Sequence, residues 1–154
     1  MENNSTYEVQ NAGRLDRLTI GKNTEEYVKI KLAEQGFDLF ICTVDRGTDL
    51  VILQNDIPLK IQIKTATLSQ KEDSGDYLFY IQIRKYNNNE VDFFVIKLNG
   101  YDIFYIIPFE VSIKSRYLSF SPFGEKKANN SINYESYRNA FHLLRTPLGE
   151  PANH

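Results

Sequence analysis

The fold-determining part of the chain reads GTDLVIL at residues 47–53 and, after a short turn, LKIQIK at residues 59–64. Successive side chains of a strand point to opposite faces, so Lys60, Gln62 and Lys64 share one face of the second segment. The aliphatic side chains between them share the other face. If the two segments pair as antiparallel strands, a carboxylate from the first lies beside an amide and an ammonium from the second. We expect this polar face to point away from the core.

Composition indicates one soluble globular domain that spans residues 1–154. Of these residues, 42% are apolar and 25% are charged, close to the average for folded domains. No apolar run is long enough to cross a bilayer and no signal-peptide core is present, so we expect a cytoplasmic protein without a membrane partner. Because Cys42 is the single cysteine, an internal disulfide is excluded. Cys42 and the two histidines together are too few ligands for a Cys/His zinc site. Because the net charge is -2, any binding of nucleic acid has to come from local basic patches.

Cap and turn signals divide the chain into the elements of an α+β fold. The first helix is expected to begin at a cap formed by Asn23 or Thr24 and to end at Gly36. Turns are expected at Asn55-Asp56 and at Asn99-Gly100, which is the strongest hairpin signal. The predicted strands are 37–44, 48–53, 59–64, 77–84, 91–98 and 101–107, with a helical turn at 109–113, a loop at 119–130 and a C-terminal helix at 133–145.

The order of these elements predicts a mixed β-sheet flanked by helices. The apolar run at residues 50–53 does not alternate with polar residues, which is expected for a strand covered on both faces.

Four polar residues stand out against this framework. Glu25 lies at the start of the first helix, Asp49 begins an apolar strand, and Gln62 and Lys64 lie on its hairpin partner. This order resembles the PD-(D/E)xK nuclease superfamily, in which a helical Glu precedes three meandering strands that carry an Asp and then an acid-x-Lys pair. The resemblance covers residues 20–110 and implies a restriction-endonuclease-like core.

Two positions depart from the pattern of that superfamily. Thr48 stands where the motif has a proline, and Gln62 stands where it has its second acid. The Gln-x-Lys version is similar to that of bacterial group I intron homing endonucleases built on this fold. Residues 91–96 and 105–108 also resemble the hairpin that follows the core in that group. The resemblance therefore implies a site-specific endonuclease that cuts double-stranded DNA during intron homing.

The resemblance implies a chemical role for each residue at a bound Mg²⁺ ion. Asp49 would bridge the metal and the phosphate, the Gln62 side-chain oxygen would be a second ligand, and the Ile63 carbonyl is a candidate third. Glu25 would act through a water on the metal, and Lys64 would orient or help deprotonate the attacking water. Magnesium suits this site because it takes oxygen ligands and polarises a phosphate. The choice between one ion and two stays open.

The predicted strand at residues 77–84 is the candidate for reading DNA bases. Tyr80, Gln82 and Arg84 share one face, and Gln and Arg can read base edges in the major groove from a β-ribbon. The candidate phosphate contacts are Lys85, Lys29 and Lys31. The abundance of aromatic residues, and the need to cut both strands of a duplex, predict a homo-oligomer, either a dimer or a tetramer.

Other interpretations of the same residues stay open. The face with Lys60, Gln62 and Lys64 can be a solvated hairpin face. Glu25 can be an ordinary acidic helix start, and Asp49 can close a turn. The functional alternatives are a structure-specific nuclease similar to the Holliday-junction resolvases and a DNA-binding module of the same fold that has lost catalysis.

Overall fold

A helix and a mixed β-sheet form the framework of the fold, which a computed structural model describes over residues 20–43, 48–68, 78–83, 89–123 and 134–145. Within these residues the chain forms helix α1 (20–34), strands β1 (Leu39–Ile41), β2 (Leu50–Gln54), β3 (Ile57–Leu68), β4 (Phe79–Gln82), β5 (Phe93–Leu98) and β6 (Phe104–Pro108), helix α2 (Phe109–Ser112), strand β7 (Tyr117–Phe120) and the 3₁₀ helices η1 (Glu135–Tyr137) and η2 (Phe141–Leu144). The predicted α+β class is confirmed.

Helix α1 begins earlier than predicted. Residue 20 is already helical, so the prediction that Asn23 or Thr24 caps the helix is wrong. Thr24 is instead buried inside the helix, and its hydroxyl accepts a 2.8 Å hydrogen bond from the Thr65 hydroxyl of β3. The side chain therefore joins α1 to the sheet and does not cap a helix end.

The end of α1 is as predicted. Gly36 has a φ of 88°, and its N–H donates a 3.0 Å hydrogen bond to the Ala33 carbonyl. The Phe37 N–H donates a 3.1 Å bond to the Leu32 carbonyl. These two bonds form a Schellman motif, which confirms Gly36 as the residue that stops the helix. In the described part of the chain, no helix combines the length and the apolar character needed to cross a membrane.

Strand β3 lies at the centre of the sheet and changes partner along its length. Its first residues pair antiparallel with β2 as far as Ile61, residues 61–66 pair parallel with β5, and Thr67 and Leu68 pair antiparallel with β4. Beyond these neighbours, β1 pairs with β2, β6 with β5 and β7 with β4. The sheet is therefore mixed, as predicted, and it forks at β3.

The turn between β2 and β3 fixes the register of the hairpin. Asn55 and Asp56 both have positive φ angles, 49° and 66°, as a two-residue type I′ turn requires. Leu53 consequently pairs with Pro58, and Leu50 pairs with Ile61. The predicted turn at these two residues is confirmed.

The two faces of the sheet bury separate apolar clusters. Val28 and Leu32 of α1 pack on one face against Leu59, Ile61 and Ile63 of β3. The cluster on the other face contains buried residues from β4, β5, β6 and β7.

Strand β2 is covered on only one face. Leu50 and Ile52 are fully buried, whereas Val51 and Leu53 are half-buried. The expectation that this strand is covered on both faces is therefore wrong, because the second cluster contains no residue of β2.

Strand β7 lies partly in a segment that was predicted to be a loop. Leu118 and Phe120 are buried while Tyr117 is exposed, and the strand pairs antiparallel with β4. Its four residues are too few for a clear alternation signal, and the pairing with β4 joins residues distant in sequence.

The predicted C-terminal helix at 133–145 is also wrong. Residues 134–145 contain two short 3₁₀ helices separated by Asn139, which has a φ of 49°. The Asn139 N–H donates a 2.6 Å hydrogen bond to the Phe104 carbonyl, and its side-chain Oδ1 accepts a 3.0 Å bond from the Phe104 N–H. These bonds to β6 interrupt a helical ladder, yet the apolar residues at helical spacing still reach the core: Tyr134, Phe141 and Leu144.

The connection between β5 and β6 is longer than the predicted two-residue hairpin. The Tyr101 N–H donates to the Leu98 carbonyl at 3.1 Å, and Gly100 has a φ of 83°. The Leu98 N–H then donates to the Ile103 carbonyl at 3.0 Å, so β6 begins at Phe104 and not at residue 101.

Candidate active site

Asp49 hydrogen-bonds to β3 just beyond the point where the pairing of β2 and β3 ends. The pairing of β2 begins with Leu50 opposite Ile61. One residue earlier, the Asp49 N–H donates a 2.9 Å hydrogen bond to the Ile61 carbonyl, and Asp49 Oδ2 accepts a 2.7 Å bond from the Ile63 N–H. The carboxylate thus takes the place of a strand partner, and a charge-assisted bond of this kind fixes its orientation.

Gln62 is buried at the fork with an unsatisfied acceptor. The residue is only 8% exposed, and its Oε1 makes no hydrogen bond within the described part of the chain. An orphaned buried acceptor costs roughly 1–3 kcal/mol, so a folded protein rarely keeps one without a use for it. A hard cation, which prefers oxygen ligands, is a partner that fits this atom.

The expectation that the polar face of β3 points to solvent is wrong for Gln62. Lys60 Nζ donates to the Asn89 carbonyl, and Thr48 Oγ1 donates a 2.5 Å hydrogen bond to the Glu90 carbonyl. Gln62 pairs with Phe94 of β5, which is fully buried in the second apolar cluster. Ala66, on the same face of β3 as Gln62, belongs to that cluster too, so the face that carries the amide is the one that this cluster covers.

Lys64 and Ile63 complete the local arrangement. Lys64 is half-buried and lies on the same face as Gln62, two residues further along β3. Ile63, between them, packs its side chain into the cluster on the α1 face while its N–H is bound to Asp49. Asp49, just before β2, and residues 62–64 of β3 thus supply a fixed carboxylate, a buried amide and an ammonium.

Glu25 is half-buried on α1, next to the residue that ties this helix to β3. The hydrogen bond between Thr24 and Thr65 anchors that turn of α1 one residue beyond Lys64. Thr65 shares the α1 face of β3 with Ile63, so this contact places the Glu25 region beside the same stretch of β3 but on the face opposite Gln62 and Lys64. The approach of its carboxylate to a common ion stays a prediction.

The donor atoms fit an oxygen-liganded cation rather than a cluster of acids. Among the residues described, no three His, Cys, Asp or Glu side chains are grouped so that they could hold a metal ion. A cation here therefore needs an amide or main-chain oxygen beside its carboxylates, and Gln62 Oε1 is such an oxygen. Mg²⁺ accepts a small number of protein oxygens because it keeps several of its waters.

The candidate base-reading face is present on β4. Tyr80 is 43% exposed and Gln82 is exposed, whereas Phe79 is fully buried. The neighbouring strand places Ser119 opposite Tyr80 and Tyr117 opposite Gln82. The other two candidates near this strand, Arg84 and Lys85, lie outside the described residues.

The candidate phosphate contacts on α1 already have acidic partners. Lys29 forms a 3.2 Å ion pair with Glu26, and Lys31 forms a 3.7 Å ion pair with Asp102. Binding of a DNA phosphate by either lysine would exchange one anionic partner for another, so this role stays a prediction.

Sequence reasoning missed Asp92 and its link to β3. The Lys60 N–H donates a 2.8 Å hydrogen bond to Asp92 Oδ2, and the Asp92 N–H donates a 2.8 Å bond to the Lys60 carbonyl. Asp92 precedes an apolar strand just as Asp49 does, and this shared pattern was the available signal.

The chain is similar to one family of known proteins and to a solved structure. A family model described as PD-(D/E)XK endonuclease matches residues 16–144. The solved structure of a bacterial homing endonuclease, I-Ssp6803I, is similar with a TM-score of 0.62 and 24% identity, over 81% of this chain and 90% of that one. At this identity the likeness establishes the fold. No curated protein matches the chain in sequence.

Proposed function

Because this chain belongs to the PD-(D/E)XK endonuclease family, we propose that it cuts both strands of duplex DNA at a specific site, as a homing endonuclease. The observation that carries the proposal is the buried Oε1 of Gln62, which has no hydrogen-bond partner among the described residues, on the strand whose Ile63 N–H holds the carboxylate of Asp49. Apolar packing does not require these oxygens at the fork. The homing role is supported by the solved neighbour, which is itself a bacterial homing endonuclease.

Mg²⁺ is the proposed cofactor. Asp49 and Gln62 would be its side-chain ligands, with the Ile63 carbonyl as a third and Glu25 acting through water. When bound, the ion polarises the phosphate and lowers the pKa of a coordinated water. Asp49 contributes a carboxylate whose orientation is already set by the Ile63 N–H, so little reorganisation is needed during the reaction.

Lys64 is proposed to act on the phosphate and on the attacking water. Its ammonium group lies on the face of β3 that carries Gln62, so it can reach the same side of a bound phosphodiester. There it would neutralise negative charge that develops on the phosphate oxygens, and it would orient the nucleophile or take part in its deprotonation.

The exposed face of β4 and β7 is the proposed surface that reads the DNA sequence. It presents Tyr80 and Gln82 on one strand and Tyr117 and Ser119 on the other. A two-stranded ribbon fits the major groove, and amide and hydroxyl groups can bond base edges there. The proposed phosphate contacts are Lys29, Lys31, Arg84 and Lys85.

A homo-oligomer is part of the proposal. Cutting both strands of a duplex requires two phosphodiester cleavages, which two copies of one active site can perform. The edge strand β1 exposes Phe40 and Ile41 by 53% and 66%, and Ile57 near the adjoining hairpin is 50% exposed. Exposed apolar groups on a strand at the edge of the described part of the sheet are typical of an association surface.

The proposal is tested with supercoiled plasmid that carries candidate intron-insertion sites. We expect cleavage with Mg²⁺ that stops when EDTA is added and that is lost in the variants Asp49→Ala and Lys64→Ala. Full activity in both variants would refute the assignment of Asp49 and Lys64 to the active site.

Two further outcomes identify the alternatives. Cleavage of four-way junctions regardless of sequence, in competition with linear target DNA, would indicate a structure-specific nuclease. Salt-dependent DNA binding without cleavage under any divalent cation would indicate a non-catalytic binding module.

A further inference from the structure

We infer that Thr48 is a positioning residue for the Asp49 carboxylate and acts through the Glu90 carbonyl; this inference rests on the proposed function. The Thr48 hydroxyl donates a 2.5 Å hydrogen bond to that carbonyl, between residues 42 positions apart in sequence. Thr48 directly precedes Asp49, so the bond restrains the main chain from which the carboxylate projects.

The Glu90 carbonyl is a suitable anchor because the chain after it is held to the centre of the sheet. Asp92, two residues later, exchanges two 2.8 Å hydrogen bonds with Lys60 of β3. Lys60 also donates through its Nζ to the carbonyl of Asn89, the residue before Glu90. The turn that receives the Thr48 hydroxyl is therefore fixed on both sides.

Asp49 lies outside the regular ladder of β2, where its bonds to Ile61 and Ile63 hold it from the side of β3. The paired residues of β2 begin at Leu50. Toward β1, the Asp49 carbonyl accepts a 3.3 Å hydrogen bond from the Cys42 N–H, which is longer than a typical backbone bond. The bond to Glu90 adds a restraint from the opposite side of β3, where β5 lies. Small displacements of a catalytic group are costly, and about 1 Å can lower a rate about 100-fold.

The hydroxyl is tested with Thr48→Val, which keeps the shape of the side chain, and with Thr48→Ser, which keeps the donor. Thr48→Ala is a second variant without the hydroxyl. The matched control is Ser112→Ala, which removes a 2.7 Å hydroxyl bond to the Phe109 carbonyl within α2. Direct Mn²⁺ binding without DNA and the Mg²⁺ dependence of single-turnover cleavage are measured for each protein.

We expect Thr48→Val and Thr48→Ala to raise the half-saturating metal concentration by about three- to tenfold, the effect of one lost hydrogen bond. Thr48→Ser should restore the wild-type value, and Ser112→Ala should lose stability without changing metal dependence. Wild-type metal affinity in Thr48→Val, or an equal loss in Ser112→Ala, overturns the inference while the wild type remains active. A wild type that neither binds Mn²⁺ nor cleaves DNA refutes the proposed function and the inference together.

Discussion

The Ile63 N–H and the Asp49 carboxylate form a 2.7 Å hydrogen bond at the point where β3 loses β2 as its partner. The bond continues the ladder through a side chain, so Asp49 has a structural task as well as its proposed catalytic one. A variant at this position can therefore lose activity for either reason, and the choice of substitution decides which reason is tested.

Asp49→Asn separates the two tasks. Asparagine keeps an oxygen that can accept the bond from Ile63 but removes the charge. Mutating a residue that only hydrogen-bonds to a metal ligand typically lowers metal affinity or activity by about 10- to 100-fold. Because Asp49 is a proposed ligand itself, we expect the rate of cleavage to fall by at least about 100-fold. The free energy of unfolding should change by less than about 1 kcal/mol, since the hydrogen bond is retained. Single-turnover cleavage and urea unfolding measure the two quantities.

The control for this variant is Asp38→Asn, which removes a carboxylate from an exposed position. Equal losses of activity in the two variants would mean that general electrostatics, and not a local role of Asp49, set the rate.

Gln62→Leu should make the protein more stable and inactive. Leucine has a similar volume and removes the buried amide, whose Oε1 has no partner within the described residues. We expect a gain of about 1 kcal/mol in the free energy of unfolding, measured in urea with EDTA present, because the desolvation penalty disappears. Metal-dependent cleavage should be lost in the same variant. A less stable Gln62→Leu protein would show that the amide has a structural role in the fold.

The sequence allowed the hairpin of β2 and β3 to be predicted because its signals are local. The type I′ turn at Asn55 and Asp56 and the alternation along β3 need only neighbouring residues. The burial of Gln62 could not be predicted in this way. It depends on the parallel pairing of β3 with β5, which places Gln62 beside the buried Phe94, and no local pattern indicates that pairing.

The prediction of a helix in the C-terminal segment was wrong for a related reason. The aromatic and aliphatic residues at helical spacing are buried, as an amphipathic helix would bury them. Asn139, however, exchanges hydrogen bonds with Phe104 on β6, and a contact between residues 35 positions apart overrides the local preference.

Gly21 in α1 and Gly36 just after it should respond in opposite directions to substitution by alanine. Gly21 lies inside the helix with nothing within 4 Å of an added Cβ, so Gly21→Ala should stabilise the protein by about 1 kcal/mol. Gly36 has equal space but a φ of 88°, so Gly36→Ala should destabilise it by about 1–2 kcal/mol through backbone strain. Thermal and urea unfolding of both variants measure the effect. Equal signs would contradict the assigned helix boundaries.

Tyr105 should make stability fall at alkaline pH. Burial, followed by its 2.8 Å hydrogen bond to Glu135, raises the pKa of this phenol far above its ordinary value. Because the folded-state pKa is raised, its contribution to stability is complete below the unfolded pKa of about 10 and is lost as the pH rises above that value. Through this one group, the free energy of unfolding should fall by about 1.4 kcal/mol for each pH unit above 10.

Tyr105→Phe tests this assignment, with the exposed Tyr80→Phe as the control. The first variant should be less stable at pH 8 by about 1 kcal/mol, because a hydrogen bond is lost, but its stability should fall less steeply above pH 10. A share of the slope should remain because burial also raises the pKa of Tyr134. Identical slopes in wild type and Tyr105→Phe would exclude this phenol as the source.

Gln82 and Tyr117 should affect sequence preference more than overall affinity. The two residues lie opposite each other on β4 and β7, and both are exposed. A side chain that bonds a base edge discriminates between bases by about 1–3 kcal/mol, whereas a phosphate contact weakens binding to all sequences equally. We therefore expect Gln82→Ala and Tyr117→Ala to relax the preference at adjacent base pairs of the target. Selection from a randomised DNA library without cleavage, using Ca²⁺ in place of Mg²⁺, measures this preference position by position. If both variants bind every sequence more weakly by the same factor, the exposed face of β4 and β7 contacts the DNA backbone and the reading surface lies elsewhere.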